Sequence, residues 1–506
     1  MLRPFCLLAA ASLEAALAAT PCAQLTYMTI PAVTIDSAEV SLAGTVSLGG
    51  NKFNLPQFCR VQAVARPTLD SEIHLEIWMP AQAAWNGKFL GTGNGGYSGS
   101  LSYVDMAKAL TAGYATAGHD TGHAGSDLHF GLGHPEKVAD YAFRAVHVMT
   151  TTAKLVVHEH LGRFAGKMYF SGCSAGGHQA LSEVQRYPDD YDGVIAGAPA
   201  NNRLGQTFGF LWSWMALHDS TGAPLLKPAE LKMVTQAAIK ACDAGDGLSD
   251  GMIEAPRRCS FDPAVLACDK EDSVTHACLT QTQVEAIRKV YAGVKNPRTG
   301  EQIFAGWSKG SESFGDSAIQ SWSLYLLDPP QPMRVDVLRF FLFHDPNWDW
   351  RTIDWDRDVE YATQQLGFLN ATETNLTPFA RRGGKLILYA GGADPVVPLA
   401  DTVNYYEGVA KAMGGIEKTK EFARLFIAPG MGHCGGGRGP NRFDPLPALD
   451  EWVTQGSPPA KLPASYQTAA KVFRPRALCP YPEVARTRTT DTSKGSSDFV
   501  CVANPL

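Results

Sequence analysis

The stretch Lys167–Ala180, KMYFSGCSAGGHQA, has the pattern of a β-strand that ends at a serine among glycines and continues into a helix. Residues 172–176 match G-x-S-x-G, a sharp strand-to-helix turn that exposes the serine hydroxyl at the edge of a sheet. Glycines are needed around such a serine because larger side chains would collide in the tight turn. The pattern predicts that Ser174 is a nucleophile, and the alternative is a purely structural glycine turn.

Alternating strand and helix patterns lie on both sides of this turn. Strand patterns occupy Glu72–Pro80, Gly87–Gly96 and Tyr114–Asp120 before it, and Gly193–Ala200 after it. A helical apolar periodicity covers residues 136–161. Together these patterns predict an α/β fold with a mostly parallel sheet flanked by helices.

The chain changes character between residues 201 and 382. Strand patterns thin out there, tryptophans are frequent, and four cysteines lie within Cys242–Cys278. The alternation of strands and helices resumes at Lys385–Pro395. We therefore expect one α/β domain formed by residues 20–200 and 383–506, with residues 201–382 inserted into it.

The amino terminus predicts export. Arg3 precedes the apolar run Phe5–Leu17, and Ala16–Ala19 supplies small residues suited to cleavage. Residues 1–19 are therefore interpreted as a signal peptide, with a buried first helix as the alternative. Ten of the eleven cysteines remain once Cys6 is removed, and an even number in a secreted or periplasmic chain indicates disulfides.

The bulk composition excludes several classes of partner. A net charge of −6 over 506 residues argues against binding to nucleic acid or to a membrane surface. Beyond the amino terminus, no run approaches the roughly 20 apolar residues that a membrane span needs. Gly91–Gly96 fits the dinucleotide-binding pattern G-x-G-x-x-G. Since the same glycines suit an oxyanion loop and an exported enzyme meets little NAD, we expect no such cofactor.

A serine nucleophile needs a base, and the base needs a carboxylate to orient it. In enzymes with this turn the chain order is Ser, then Asp or Glu, then His. Asp394 follows the strand pattern LILYAGGA, and His433 follows ARLFIAPG, so both are expected at the carboxyl ends of strands. The sequence therefore predicts the catalytic triad Ser174, Asp394 and His433.

Each of two triad members has a cysteine as its neighbour. Cys173 precedes Ser174, and Cys434 follows His433. If the serine and the histidine touch, the Cα atoms of the two cysteines fall within the ~4.4–6.8 Å that a disulfide spans. We predict the bond Cys173–Cys434, with chance placement of two unrelated cysteines as the alternative.

These motifs resemble those of the tannase and feruloyl esterase family of α/β-hydrolases, which has a Cys-Ser, Asp, His-Cys set and an inserted lid domain. The resemblance spans nearly the whole mature chain and rests on WNGKFLGTGNGGYSG, GCSAGG, CDAGDGLSDG, GGADPVVP, GMGHCGGG and LCPYP. It implies an α/β-hydrolase fold with residues 201–382 as the lid. It also implies that the backbone N–H groups of Ala175 and Gly96 form the oxyanion hole.

The resemblance further implies a structural Ca²⁺ in the stretch CDAGDGLSDGM. Three carboxylates and two backbone carbonyls would supply the oxygen ligands that calcium takes, from Asp243, Asp246, Leu248, Asp250 and Met252. The alternative is an acidic, solvated turn. The pair Cys242–Cys259 would close this loop, and the remaining pairs would then be Cys22–Cys59, Cys268–Cys278 and Cys479–Cys501.

The expected substrate is a small aromatic ester. The family resemblance implies esters of ferulate and related cinnamates, of gallate, or monoesters of terephthalate. The family's terephthalate-monoester hydrolases carry a carboxylate-binding arginine just after a lid tryptophan, and a Glu after the nucleophile. Here Ser323 follows Trp322 and Ala175 follows Ser174, which favours a feruloyl or chlorogenate type of esterase. An alternative from another class is a non-catalytic, calcium-stabilised binding protein.

Overall fold

A sheet of nine strands forms the centre of the molecule. The computed structural model describes residues 19–246, 249–268, 278–314, 321–467, 472–487 and 499–503, so most of the expected signal peptide lies outside the described residues. The strands are β1 Val33–Ser41, β2 Gly44–Leu48, β3 Asn51–Leu55, β4 Phe58–Ala65, β5 Ile73–Pro80, β6 Lys88–Thr92, β7 Ala115–His119, β8 Lys167–Cys173, β9 Gly193–Gly197, β10 Val294–Lys295, β11 Gln302–Phe304, β12 Lys385–Gly391, β13 Ala423–Ala428, β14 Leu462–Gln467, β15 Val472–Leu478, β16 Val484–Thr487 and β17 Phe499–Val502.

The large sheet has the order β1-β4-β5-β7-β6-β8-β9-β12-β13. From β7 onward every neighbouring pair is parallel, and β1, β4, β5 and β7 pair antiparallel at one side. Since β6, β8, β9, β12 and β13 run in one direction, their carboxyl ends meet at one edge of the sheet. The predicted α/β-hydrolase fold with a mostly parallel sheet is confirmed.

The helices cover both faces of this sheet or belong to residues 201–382. They are α1 Tyr103–Thr111, α2 Pro135–Ala139, α3 Ala145–Leu161, α4 Ala175–Arg186, α5 Arg203–Leu217, α6 Pro228–Cys242, α7 Gln281–Ala292, α8 Arg357–Leu366, α9 Thr377–Arg381, α10 Leu399–Ala412, α11 Ile416–Thr419 and α12 Leu446–Gln455. Successive residues of a strand face opposite sides. Phe170 of β8 accordingly packs with α3, α4 and α10, whereas Tyr169 packs with Trp452 of α12.

Most buried apolar side chains between Leu204 and Leu369 belong to a second core, whereas Ala371, Leu376 and Phe379 join the core of the large sheet. In the described part of residues 201–382, no strand joins the large sheet, and β10 pairs only with β11. Helices α5, α6 and α7 instead pack around tryptophans such as Trp307 and Trp322, which are almost fully buried. The same core reaches Tyr97 and Val396, so this segment lies against the loops that follow β6 and β12. None of the described helices is both long and apolar enough to cross a membrane.

Candidate active site

The serine turn has the strained geometry that its sequence predicts. Ser174 lies between the last residue of β8 and the first residue of α4, with φ 64° and ψ −117°. A non-glycine residue holds this conformation only where its surroundings impose it. Here a Cβ atom on Gly172 would lie 2.5 Å from the carbonyl carbon of Gly176. The N–H of Ser174 donates to Gly197 at 2.9 Å, which fixes the turn to β9.

Asp394 and His433 form a hydrogen-bonded pair at the same edge of the sheet. Asp394 follows β12 and is buried, and its Oδ2 lies 2.8 Å from Nδ1 of His433. Its other oxygen accepts the backbone N–H groups of Val396 at 2.7 Å and Val397 at 2.9 Å. These bonds hold the carboxylate in one orientation. A carboxylate that accepts Nδ1–H leaves Nε2 of the imidazole to take a proton.

A disulfide joins the two halves of the site. Cys173 and Cys434 are bonded, with their Cα atoms 6.0 Å apart across 261 residues of sequence. Because these cysteines flank Ser174 and His433, the bond brings the backbone beside the serine to the backbone beside the histidine. Cys434 itself has φ 59°, so the turn after His433 is also conformationally restricted.

The glycine loop after β6 packs directly on the serine turn. A Cβ atom on Gly93 would lie 2.6 Å from Cα of Gly176, so only glycine permits this approach. Asn94 exchanges two hydrogen bonds with the side chain of Gln179 on α4, at 3.0 and 3.1 Å. Gly93 therefore serves close packing against α4, and a Cβ on Gly91 would meet Tyr191 and Phe170, so these two glycines of the pattern have a packing role.

The two residues expected to supply the oxyanion hole lie on these packed elements. Ala175 is the first residue of α4, where backbone N–H groups have no partner within the helix. Gly96 ends the glycine loop with φ 58°, and its carbonyl accepts the hydroxyl of Tyr141 at 2.9 Å. That bond fixes the orientation of the loop backbone beside the serine turn.

The inserted segment holds the loop that carries Asp394. Trp307 Nε1 donates to the carbonyl of Pro395 at 2.8 Å, and Gln206 Nε2 donates to that of Val396 at 2.7 Å. Gln206 also accepts a short hydrogen bond from Arg334. Sequence analysis missed Gln206, Arg334 and the neighbouring Arg203. The available signal was the polar pattern at the start of α5, in a stretch that is otherwise apolar.

Buried histidines near the site have structural roles. His119 is fully buried, and burial lowers its pKa to about 3, so the ring is neutral. His178 on α4 bonds the carbonyl of Leu369 at 2.9 Å, and burial lowers its pKa well below the usual value. His123 bonds the carbonyl of Tyr97 at 2.8 Å. These bonds position the loops around the serine turn.

In the described part of the predicted calcium loop, several backbone N–H groups point at Asp243. Its carboxylate accepts the backbone N–H groups of Asp250 at 3.3 Å, Gly251 at 3.0 Å and Met252 at 3.2 Å. Asp250 pairs with Arg476 at 3.3 Å. The donor set is all oxygen and fits Ca²⁺ in chemistry. Leu248 lies outside the described residues, and the side chain of Asp246 is not among those described.

A different acidic cluster lies away from this loop. Ligand-type atoms of His147, Glu183 and Asp190 lie within 4.8 Å of one another. Asp190 already pairs with His147 at 2.6 Å and with Lys154 at 2.7 Å. Because the ammonium occupies one of the oxygens that a cation would need, this cluster is explained as an ion-pair network.

The described chain contains four further disulfides. They are Cys22–Cys59, Cys242–Cys259, Cys268–Cys278 and Cys479–Cys501. These are the pairs expected from the sequence, and Cys242–Cys259 closes the loop that contains Asp243 and Asp250.

Comparison with known proteins identifies the family. The model described as "Tannase and feruloyl esterase" matches residues 59–502. The chain belongs to the tannase and feruloyl esterase family. An uncharacterized esterase of Xanthomonas campestris pv. campestris is 35% identical over 98% of this chain and 93% of its own length.

The chain is also similar to two proteins whose names state an esterase or hydrolase activity. The mono(2-hydroxyethyl) terephthalate hydrolase of Piscinibacter sakaiensis is 33% identical over 89% of this chain and 86% of its own. The crystal structure of feruloyl esterase B from Aspergillus oryzae superimposes with a TM-score of 0.86 and 28% identity, over 95% of this chain and 99% of that one. The chain described here, as a member of the same family, is a carboxylic-ester hydrolase.

Proposed function

We propose that the protein is an exported serine esterase that hydrolyses esters of hydroxylated aromatic acids through an acyl-enzyme on Ser174. The observation that carries the proposal is the 2.8 Å bond between Asp394 and His433, on a segment that a disulfide ties to the serine turn. The nucleophile, the base and the residue that orients the base thus lie on three packed loops at one edge of the sheet.

The catalytic cycle follows from these positions. Nε2 of His433 takes the hydroxyl proton of Ser174 while Oγ attacks the ester carbonyl carbon. The N–H groups of Ala175 and Gly96 donate to the oxygen that becomes negative, and each such donor is typically worth ~3–4 kcal/mol of transition-state stabilisation. The imidazolium, held by Asp394, then protonates the departing alkoxide. Water then attacks the acyl carbon with His433 as its base, and the aromatic acid leaves as Ser174 takes back its proton.

Residues 201–382 are proposed as the lid over this site. The segment contacts the Asp394 loop through Trp307 and Gln206, and its core includes Tyr97 beside the glycine loop. Trp307 and Trp322 are almost fully buried, so these tryptophans support the lid itself. A ferulate or chlorogenate ester is proposed as the preferred substrate, because relatives of this architecture include a feruloyl esterase. Gallate esters and terephthalate monoesters are the alternatives.

The activity is tested with initial rates on methyl ferulate, methyl gallate and mono(2-hydroxyethyl) terephthalate. We expect measurable hydrolysis of at least one of the three esters, and loss of essentially all activity in Ser174→Ala with an unchanged melting temperature. Wild-type protein that binds methyl ferulate but hydrolyses none of the three esters would instead support the non-catalytic binding protein.

Two further features are part of the proposal. Asp243, Asp246 and Asp250, with the carbonyls of Leu248 and Met252, would hold a Ca²⁺ that stabilises the fold and takes no part in the chemistry. Export after cleavage near residue 19 is supported by five disulfides, which persist in oxidising compartments. Amino-terminal sequencing of the mature protein tests the cleavage, and a chain that retains residues 1–19 would refute it.

A further inference from the structure

Two arginines lie between the glycine loop and the Asp394 loop. Arg203 begins α5, and Arg334 donates to Gln206, whose amide donates to the carbonyl of Val396. Tyr325 lies close to both Arg334 and Asp394. Burial, and secondarily the charge of Asp394, raises the pKa of its phenol, whereas the charge of Arg334 opposes this rise.

The same arginines reach the oxyanion side of the site. The guanidinium of Arg203 lies 5.2 Å from the ring centre of Tyr97 and 5.4 Å from that of Tyr141. The guanidinium of Arg334 lies 5.6 Å from the Tyr97 ring. Tyr97 follows Gly96, and Tyr141 donates to the carbonyl of Gly96. Both cations therefore share one phenol ring beside the expected oxyanion donors.

Arg203 is an exception among the buried arginines. Only 2% of it is exposed, and its Nε, Nη1 and Nη2 are buried without a hydrogen-bond acceptor among the described residues. Arg476, the other buried arginine among the described residues, by contrast pairs with the carboxylates of Asp250 and Glu254. A ring face attracts a cation but does not satisfy its N–H donors. A buried, unpaired charge is strongly unfavourable unless a partner is bound.

Arg334 adds a second positive charge beside that of Arg203. Arg334 is partly exposed and bonds one neutral amide, and no carboxylate in the described part of the chain pairs with either arginine. Burial lowers the pKa of Arg334, and the charge of Arg203 contributes in the same direction. Two guanidinium groups around one tyrosine ring thus form a concentrated positive region that the described protein residues do not neutralise.

The position of Arg203 is fixed before any ligand binds. Asn202 caps α5 by accepting the N–H of Gly205 at 3.1 Å, and Asn370 accepts the N–H of Leu204 at 3.1 Å. These bonds fix the backbone from which Arg203 projects, and the rings of Tyr97 and Tyr141 pack against its guanidinium, so the group is largely positioned in advance.

We infer that Arg203 and Arg334 form an anion subsite that binds a carboxylate carried by the substrate ester. A guanidinium binds a carboxylate through two parallel N–H···O bonds, and a buried fork with free donors is suited to that geometry. The inference rests on the proposed function and narrows its substrate class to anionic aromatic esters. No arginine follows Trp322, but the fold brings Arg203 and Arg334 to the ring of Tyr97 from two other positions in the chain.

The carboxylate could belong to the acid or to the alcohol of the ester, and two matched pairs of substrates distinguish these sources. Monomethyl and dimethyl terephthalate differ by a charge on the acid side. Chlorogenate and methyl chlorogenate share the caffeoyl group and the quinate ring and differ by the charge of the carboxylate on the alcohol side. We expect wild-type kcat/KM to favour the charged ester at least 10-fold in one pair, with most of the difference in KM. A preference below 3-fold in both pairs would overturn the inference.

Substitutions then assign the preference to the two arginines. Arg203→Gln and Arg334→Gln should each reduce the charged-to-neutral ratio of kcat/KM at least 10-fold, and Arg203→Lys should restore part of it. Arg298→Gln is the matched control, because Arg298 is an exposed arginine of the same segment that pairs with Asp356; it should change neither rate. Equal losses on both esters would show that the arginines only support the fold. Wild-type protein inactive on all four esters would refute the proposed function instead.

Discussion

The disulfide between Cys173 and Cys434 should stabilise the fold and also position the base, and a double variant separates these roles. Cys173→Ala/Cys434→Ala removes a cross-link across 261 residues. The chain-entropy relation gives ~5–6 kcal/mol for a loop of this length. This is comparable with the whole stability of many domains, about 5–15 kcal/mol. The variant should therefore unfold at much lower denaturant concentration, and its kcat should be measured at low temperature where it remains folded.

The effect on kcat is the informative part. Without the bond, the loop that carries His433 loses its covalent tie to the serine turn, and a misplacement of ~1 Å lowers a rate about 100-fold. We expect kcat on methyl ferulate to fall by about that factor. Cys22→Ala/Cys59→Ala is the control, because this bond spans 37 residues at the amino terminus. It should lower stability by ~4 kcal/mol and leave kcat within 2-fold.

The assay is stopped-flow or initial-rate hydrolysis of methyl ferulate, with near-ultraviolet circular dichroism to establish that each variant is folded. A Cys173→Ala/Cys434→Ala protein that is folded and retains wild-type kcat would refute the positioning role. Equal losses of kcat in both double variants would show that each disulfide affects kcat only through the stability of the fold. Either result would show that this cross-link does not position the base.

Three further predictions follow from the site and its surroundings. Asp394→Asn should lower kcat on methyl ferulate about 10⁴-fold, because an amide no longer selects the imidazole tautomer with a free Nε2; a loss below 10-fold would exclude Asp394 as the orienting residue. EDTA should lower the melting temperature and Ca²⁺ should restore it, with a smaller shift in Asp250→Asn; a melting temperature that EDTA does not change would exclude the calcium loop. Burial raises the pKa of Asp401 to about 7. Between pH ~4 and ~7 the native chain therefore keeps a proton that the unfolded chain has released. The free energy of unfolding consequently falls as the pH rises through this range. Asp401→Asn should therefore unfold at a higher denaturant midpoint than the wild type at pH 8 and at the same midpoint at pH 4; equal midpoints at both pH values would contradict this.

The serine turn and its partners could be predicted because their geometry is local. The glycines around Ser174 are required by contacts within a few residues or with the neighbouring strand β9. Asp394 and His433 each follow a short apolar strand, and parallel strands bring their carboxyl ends together. Adjacent cysteines then indicated which loops meet, since a disulfide restricts the distance between two backbones.

The antiparallel side of the sheet was less predictable. β1 alternates irregularly between buried and exposed residues, and its register with β4 shifts between Ile35 and Ser37. An edge strand with a bulge lacks the regular period on which strand prediction depends. Short pairs such as β14 with β15 are stabilised by neighbouring segments, so their own sequence carries little signal.

The arginines show why a charged subsite escapes motif analysis. Arg203 and Arg334 are 131 positions apart, and each would be ordinary if it were exposed or paired with a carboxylate. Their significance comes from burial and from the missing acceptor for Arg203, and both arise only when α5 and the rest of the insertion pack against Tyr97. For this chain, the preference between charged and neutral esters should follow these two side chains, whatever residue stands after Trp322.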